Sequence, residues 1–140
     1  MLVLDASVTL AWFLEGDSAA QREYALGIAK LIEADVPSLI VPGEWHTEMG
    51  STLVREWRAD RLSTTALNAA ISRLDQLPIE THHRAHTPGE IVKLAIKYHL
   101  AGYDALYLDL AHTLGVPLAT IDRGLVAAAR RFDVALIEME

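Results

Sequence analysis

Four acidic residues stand out by where they sit: Asp5, Glu48, Asp104 and Asp122. Asp5 closes the apolar run Leu2-Val3-Leu4, and Asp122 closes Leu118-Ala119-Thr120-Ile121. Each is followed by a helix-like stretch, so each stands where a buried strand leaves the core. In open α/β sheets the crevice beyond the strand ends is where ligands bind. The same position also suits an N-cap, whose side chain satisfies free backbone N–H groups, and taken singly either acid fits that role. Glu48 lies beside an apolar face and one turn from Glu44, a spacing at which two acids repel unless a cation is near. Asp104 falls in the first turn of a helix, where an acid complements the dipole, and on the stripe of Leu108 and Ala111. Gathered at one sheet edge with no Lys among them, these carboxylates would push one another's pKa values up. A hard divalent cation removes that conflict, and oxygen-only ligands suit Mg²⁺ or Mn²⁺ better than Zn²⁺. Acid clusters of this type serve in-line displacement at phosphorus, where one ion activates water and another can stabilise the leaving oxygen.

The elements that must position these acids follow from periodicity and punctuation. Residues 7–15 read as a helix with Ser7 as its cap and Gly16 as its breaker. A second helix runs from Asp17 or Ser18 to about Ala34, with Tyr24, Ile28, Leu31 and Ile32 on one stripe, and Asp35-Val36-Pro37 stops it. Leu39-Ile40-Val41 is a buried strand ended by Pro42. A helix from Gly43 to about Ala59 has Trp45, Met49, Leu53 and Trp57 on its apolar face. Ser63-Thr64-Thr65 opens another, through Leu67, Ile71 and Leu74, and Pro78-Ile79-Glu80-Thr81 is a short, weakly marked strand. After a polar connection from His82 to Thr87, Pro88 starts a helix faced by Ile91, Leu94, Ala95 and Tyr98. Gly102 punctuates before the helix of Asp104, which reaches Leu114. Gly115-Val116-Pro117 then turns the chain into the strand Leu118 to Ile121. A short basic helix, Arg123 to Arg131, leads to a last strand, Ala135-Leu136-Ile137. Short strands alternating with amphipathic helices, without repeat or linker, predict one α/β domain over residues 1–140 with a mainly parallel sheet.

Composition narrows the function. The chain carries 12 Lys+Arg against 19 Asp+Glu, a net charge of −7, which disfavours a general nucleic-acid binder but not an enzyme that meets phosphate through cations. No Cys is present, which excludes disulfides and thiolate metal sites. Apolar residues make up 51% of the chain, with a mean hydropathy of +0.20, a surplus that points to a surface covered by a partner or a second copy. No apolar run approaches the ~20 residues needed to span a bilayer, and nothing resembles a signal peptide, so the expectation is a cytoplasmic protein without membrane contact. His82, His83 and His86 lack the further ligands zinc requires and read as a solvated loop. Arg123, Arg130 and Arg131 form the densest basic cluster. They suit steering of substrate phosphates or contact with an acidic partner, and equally an exposed helix face. Trp12, Trp45, Trp57 and Tyr107 read as packing residues.

The runs Leu2-Val3-Leu4-Asp5-Ala6-Ser7, Trp45-His46-Thr47-Glu48, Tyr103-Asp104-Ala105-Leu106-Tyr107-Leu108 and Leu118-Ala119-Thr120-Ile121-Asp122, in this order and spacing, resemble the motifs of PIN-domain ribonucleases. The similarity is greatest to the VapC-type toxins of toxin–antitoxin pairs, and it covers the whole chain. The resemblance implies a three-layer α/β/α sandwich and an RNA-cutting activity. It makes Asp5, Glu48, Asp104 and Asp122 the metal-binding acids, with Ser7 and Thr120 as supporting polar residues. It also implies a homodimer and a small antitoxin that enters the active-site groove. Two positions depart from the family pattern: Ser51 replaces a frequent Asn, and Gly124 replaces an acid found in some members, which thins the surroundings of a second ion. A haloacid-dehalogenase-type phosphohydrolase is rejected, because Ser7 stands where its second Asp would be and no suitable Lys precedes the final acid. A receiver-type phosphoacceptor would want paired acids after the first strand and a late Lys, whereas Lys97 is the last. The remaining alternative is a PIN-like module that binds RNA or protein without turnover.

Overall fold

The computed structural model describes residues 1–34 and 38–139; Asp35-Val36-Pro37, read above as a helix stop, lie outside the described residues. The elements are β1 (Leu2–Leu4), α1 (Ala6–Ala11), α2 (Ala19–Glu33), β2 (Leu39–Pro42), α3 (Glu44–Arg58) and α4 (Thr64–Asp75). They continue with β3 (Ile79–His82), α5 (Pro88–Tyr98), α6 (Gly102–Leu114), β4 (Leu118–Ala119) and α7 (Arg123–Arg131). The strands form one parallel sheet in the order β3-β2-β1-β4, with Val3 paired to Ile40 on one side and to Leu118 on the other. Every residue of β1 and β2 is buried, which is why both read as continuous apolar runs.

From β1 the chain steps outward through β2 and β3 and then crosses back to β4 on the opposite side of β1. Right-handed crossovers therefore put α1–α4 on one face of the sheet and α5–α7 on the other. The packing agrees, since α1 touches α2 and α3, whereas α6 lies against β1, β2 and β4 with α5 and α7 beside it. This is the expected three-layer α/β/α arrangement. The reversal between β1 and β4 is a topological switch point, and its crevice opens at the carboxyl ends of those strands.

Several local expectations change. α1 begins at Ala6, so Ser7 lies inside its first turn instead of capping it, and Asp5 holds the cap position. The helix stops at Ala11, well before Gly16, because the Trp12 and Phe13 amides close tight turns on Thr9 and Leu10. The break before α6 falls at His99, in the left-handed region at φ 54°, with Leu100 N–H returning to the Ala95 carbonyl; Gly102 is the helix's first residue. Trp57 is 38% exposed, with its indole N–H donated to Thr64 Oγ1, and Ile71 is 45% exposed while Ala70 takes the buried place. β4 holds only Leu118 and Ala119, and the last strand shrinks to a single bridge between Leu118 and Leu136.

Candidate functional site

Asp5 keeps one foot in the sheet, since its N–H donates to the Ala119 carbonyl at 3.0 Å, continuing the β1–β4 ladder by one rung. That bond fixes the carboxylate at the mouth of the switch-point crevice, where it is only 2% exposed. Its side chain caps nothing. Instead Oδ2 accepts the hydroxyls of Ser7 at 2.5 Å and Thr120 at 2.7 Å, and Oδ1 accepts no hydrogen bond among the described residues. Burial pushes the Asp5 pKa up to about 6; the two hydroxyls pull it back, and the charges of Glu48 and Asp122 raise it further.

Thr120 and Ser7 do more than hold Asp5. Thr120 Oγ1 accepts the Asp122 N–H at 3.1 Å, Ser7 Oγ accepts the Ile121 N–H at 3.3 Å, and the Ile121 carbonyl accepts Gln21 Nε2 at 3.2 Å. The Ile121 amide and carbonyl and the Asp122 amide are thus bonded to side chains and not to a neighbouring strand, in keeping with β4 ending before Thr120. Asp122 in turn caps α7, its Oδ1 accepting the Leu125 N–H at 2.8 Å. The capping role weighed for both strand-end acids is therefore taken by Asp122 and not by Asp5.

The other two acids arrive from helices on opposite faces of the sheet. Asp104 is in the first turn of α6, half-buried, and its pKa is pushed up to about 6 by burial first and then by Asp122 and Asp5. Glu48 projects from α3 and is also half-buried; burial raises its pKa, the Tyr107 hydroxyl lowers it, and Asp104 raises it. Mutual repulsion therefore links Asp5, Glu48, Asp104 and Asp122 into one electrostatic group. None of the four is in an ion pair among the described residues. Oxygen donors that repel one another, with no cationic side chain paired to them among the described residues, match the requirements of a hard divalent ion. The ring is open: among the described residues no three His, Asp or Glu side chains are drawn together tightly enough to enclose an ion.

Of the basic residues singled out, Arg123 is the one beside the site. It lines a surface cavity of about 510 Å³ together with Ser7, Glu15, Asp17 and Asp122. Arg130 lines a neighbouring cavity of about 410 Å³ bordered by Tyr24, Thr120 and Ile121. Arg131 is exposed and borders neither of these cavities. Ser51 is exposed on α3. Gly124 sits so close to the cap that a Cβ there would stand 3.2 Å from Asp122 Oδ1, so an acid at this position would press on the residue it follows.

Tyr107 was expected only to pack. It is fully buried on α6, but its hydroxyl donates to Glu48 Oε1 at 3.0 Å. The signal in the sequence is its place one turn after Asp104, on a helix whose buried residues include four consecutive ones, Ala105 to Leu108.

Comparison with known proteins agrees with this architecture. Residues 2–131 match the PIN domain family. Ribonuclease VapC1 of Mycobacterium tuberculosis is 35% identical over 104 residues, covering 73% of this chain and 72% of that protein. Among solved structures, PAE2754 from Pyrobaculum aerophilum superposes with a TM-score of 0.61 at 23% identity, covering 91% of this chain and 83% of its own. FitAcB from Neisseria gonorrhoeae gives 0.60 at 18% identity, covering 99% and 97%. At these identities the two structures speak for the fold alone.

Proposed function

The chain belongs to the PIN domain family, and on that premise we propose that it is a metal-dependent endoribonuclease acting as the toxin of a toxin–antitoxin pair. The observation that carries the reading is the electrostatic group at the switch point: a buried Asp5 coupled to Glu48, Asp104 and Asp122, with one oxygen unbonded and no cationic side chain paired to it among the described residues. Asp5, Asp104 and Glu48 would hold the ion, Mg²⁺ or Mn²⁺, with Asp122 contributing the oxygen its cap does not use. Bound there, the ion supplies positive charge that lowers the pKa of a water and offsets the charge of a phosphodiester.

The protein's own residues set the geometry. Ser7 and Thr120 fix the Asp5 carboxylate by binding one oxygen, and the other would be the one to hold the ion. The α6 N-terminus brings Asp104 up from the opposite layer, and α3 brings Glu48. Arg123, at the rim of the cavity that reaches Ser7 and Asp122, supplies local positive charge for the RNA backbone on a molecule whose net charge is −7. The same rim, with Arg130, offers an anchoring point for acidic groups of an antitoxin. Residues 1–140 act as one domain in the cytoplasm, where the RNA is, and Val92 and Ile96, 56% and 68% exposed on α5, supply apolar surface for a homodimer.

Two observations favour a second reading, a PIN-like module that binds RNA or protein without turnover: Asp122 is engaged as a cap, and among the described residues no three acids are placed to enclose an ion. Cleavage of cellular RNA by the purified, antitoxin-free protein separates the two. Discrete fragments that require Mn²⁺ or Mg²⁺, disappear with chelator and are absent with Asp5→Asn are the expected result. Binding of the same RNA with no cleavage in any metal would establish the module instead.

A further inference from the structure

A fully buried phenol needs a hydrogen-bond partner, and the partner Tyr107 has chosen is unusual for a core residue. It is not a neighbouring carbonyl in α6 but the Glu48 carboxylate, carried by α3 from the other side of the sheet. The backbone amide of Ala6, the residue directly after Asp5, faces the same hydroxyl. The hydroxyl thus ties Glu48 to the residue one turn on from Asp104. A phenol ionises only at about pH 10, so the hydroxyl is a donor at neutral pH.

Glu48 needs such an anchor. It is half-buried on an open helix face, one turn from Glu44, and is repelled by Asp104. A carboxylate on a long side chain under that repulsion would swing to solvent, and the Tyr107 hydroxyl supplies the hydrogen bond that restrains it among the described residues. We propose that Tyr107 is a positioning residue: its hydroxyl holds Glu48 in the acid group by one oxygen, Oε1, and leaves Oε2 for the divalent ion. The assignment rests on the reading of Glu48 as an ion ligand. It belongs to the class of outer partners that orient ligating carboxylates, whose loss lowers metal affinity by about 10–100-fold.

The test compares wild type, Tyr107→Phe, Glu48→Gln and the double variant, with Mn²⁺ titrated calorimetrically into each metal-free protein and RNA cleavage kinetics alongside. Tyr107→Phe keeps the ring in the core. It should weaken Mn²⁺ binding about tenfold and lower kcat while leaving KM for RNA unchanged. Because Tyr107 acts through Glu48, the double variant should bind Mn²⁺ no more weakly than Glu48→Gln alone, which a merely structural role would not produce. Wild-type affinity in Tyr107→Phe beside a weakened Glu48→Gln, or additive losses in the double variant, would overturn the role of Tyr107 and leave the metal site standing. Wild-type affinity in Glu48→Gln would remove Glu48 from the site and the proposal with it. A second measurement needs no Tyr107 variant: the Tyr107 hydroxyl proton in the metal-free protein should be protected from exchange by NMR and released in Glu48→Ala. Equal protection in both would equally overturn the tie.

Discussion

Asp5 is an acid placed where ionisation is disfavoured, with two hydroxyls bonded to one of its oxygens and three other carboxylates near it. In the metal-free protein its folded-state pKa of about 6 lies above the ordinary 3.8, and Asp104 behaves alike. The folded state therefore keeps protons that the unfolded chain releases between about pH 4 and 6. Stability from these groups is fully present at the acid end of that window and is lost as pH rises through it. Glu56 and Glu90, held low by Arg61 and by the Thr87 amide, act in the opposite sense at lower pH. Asp5→Asn should consequently make the metal-free protein more stable than wild type at pH 7.5, on the order of 2 kcal/mol, and the gain should vanish near pH 4. Urea unfolding in chelator at the two pH values checks this; an equal or lower midpoint for the variant at pH 7.5 would mean that Asp5 is not under electrostatic strain. At this scale the sequence was informative about which acids meet, because strand ends and helix starts are marked by abrupt changes from apolar to polar. It was silent on which acid is a cap. Asp5 and Asp122 have the same local pattern, and only Ser7 and Thr120, brought together from residues 113 apart, separate them.

Among the elements, the segment after β4 decides how the site is built. Thr120 reads as the third residue of a strand, yet its hydroxyl donates to Asp5 and accepts from the Asp122 amide. Thr120→Val keeps the shape and removes both bonds. It should cost about 1–3 kcal/mol in stability, because a buried amide and a buried carboxylate each lose a partner, and it should weaken metal binding at the same time. Urea midpoints with and without Mn²⁺ measure both; an unchanged midpoint would show that the network contributes nothing. Period and punctuation placed α2, α3, α5 and α7 well, since their ends carry caps or breakers: Ser18 and Thr87 make capping boxes and Pro88 opens its helix. They misplaced the end of α1 and the length of β4, where the backbone bonds go to turns and side chains that no period encodes. The stripe that contains Ile71 was right as a stripe and too wide as a buried face, because a sequence shows which residues align and not how much of them a neighbour covers.

At the scale of the molecule, strand order matters most. The alternation of strands and helices predicted a parallel α/β domain, but the order β3-β2-β1-β4 rests on long-range pairing that local pattern does not carry. That order puts β1 at the reversal point and so makes Asp5, rather than any other strand-end residue, the centre of the acid group. It also brings α3 and α6 from opposite layers to the same crevice, which is how Glu48 and Asp104 come within range of each other. The fold thus produces a region of concentrated negative charge that a divalent ion would relieve, and the proposed metal-dependent cleavage and the proposed role of Tyr107 both require that ion to bind there. Calorimetric titration of Mn²⁺ into the chelator-treated protein at pH 7.5, beside Asp5→Asn and Asp104→Asn, tests it most directly. Saturable binding to wild type is expected, weakening at least tenfold in each variant and in wild type below about pH 6, as Asp5 and Asp104 take up protons. Binding of equal strength in all three proteins, or none in the wild type, would contradict it.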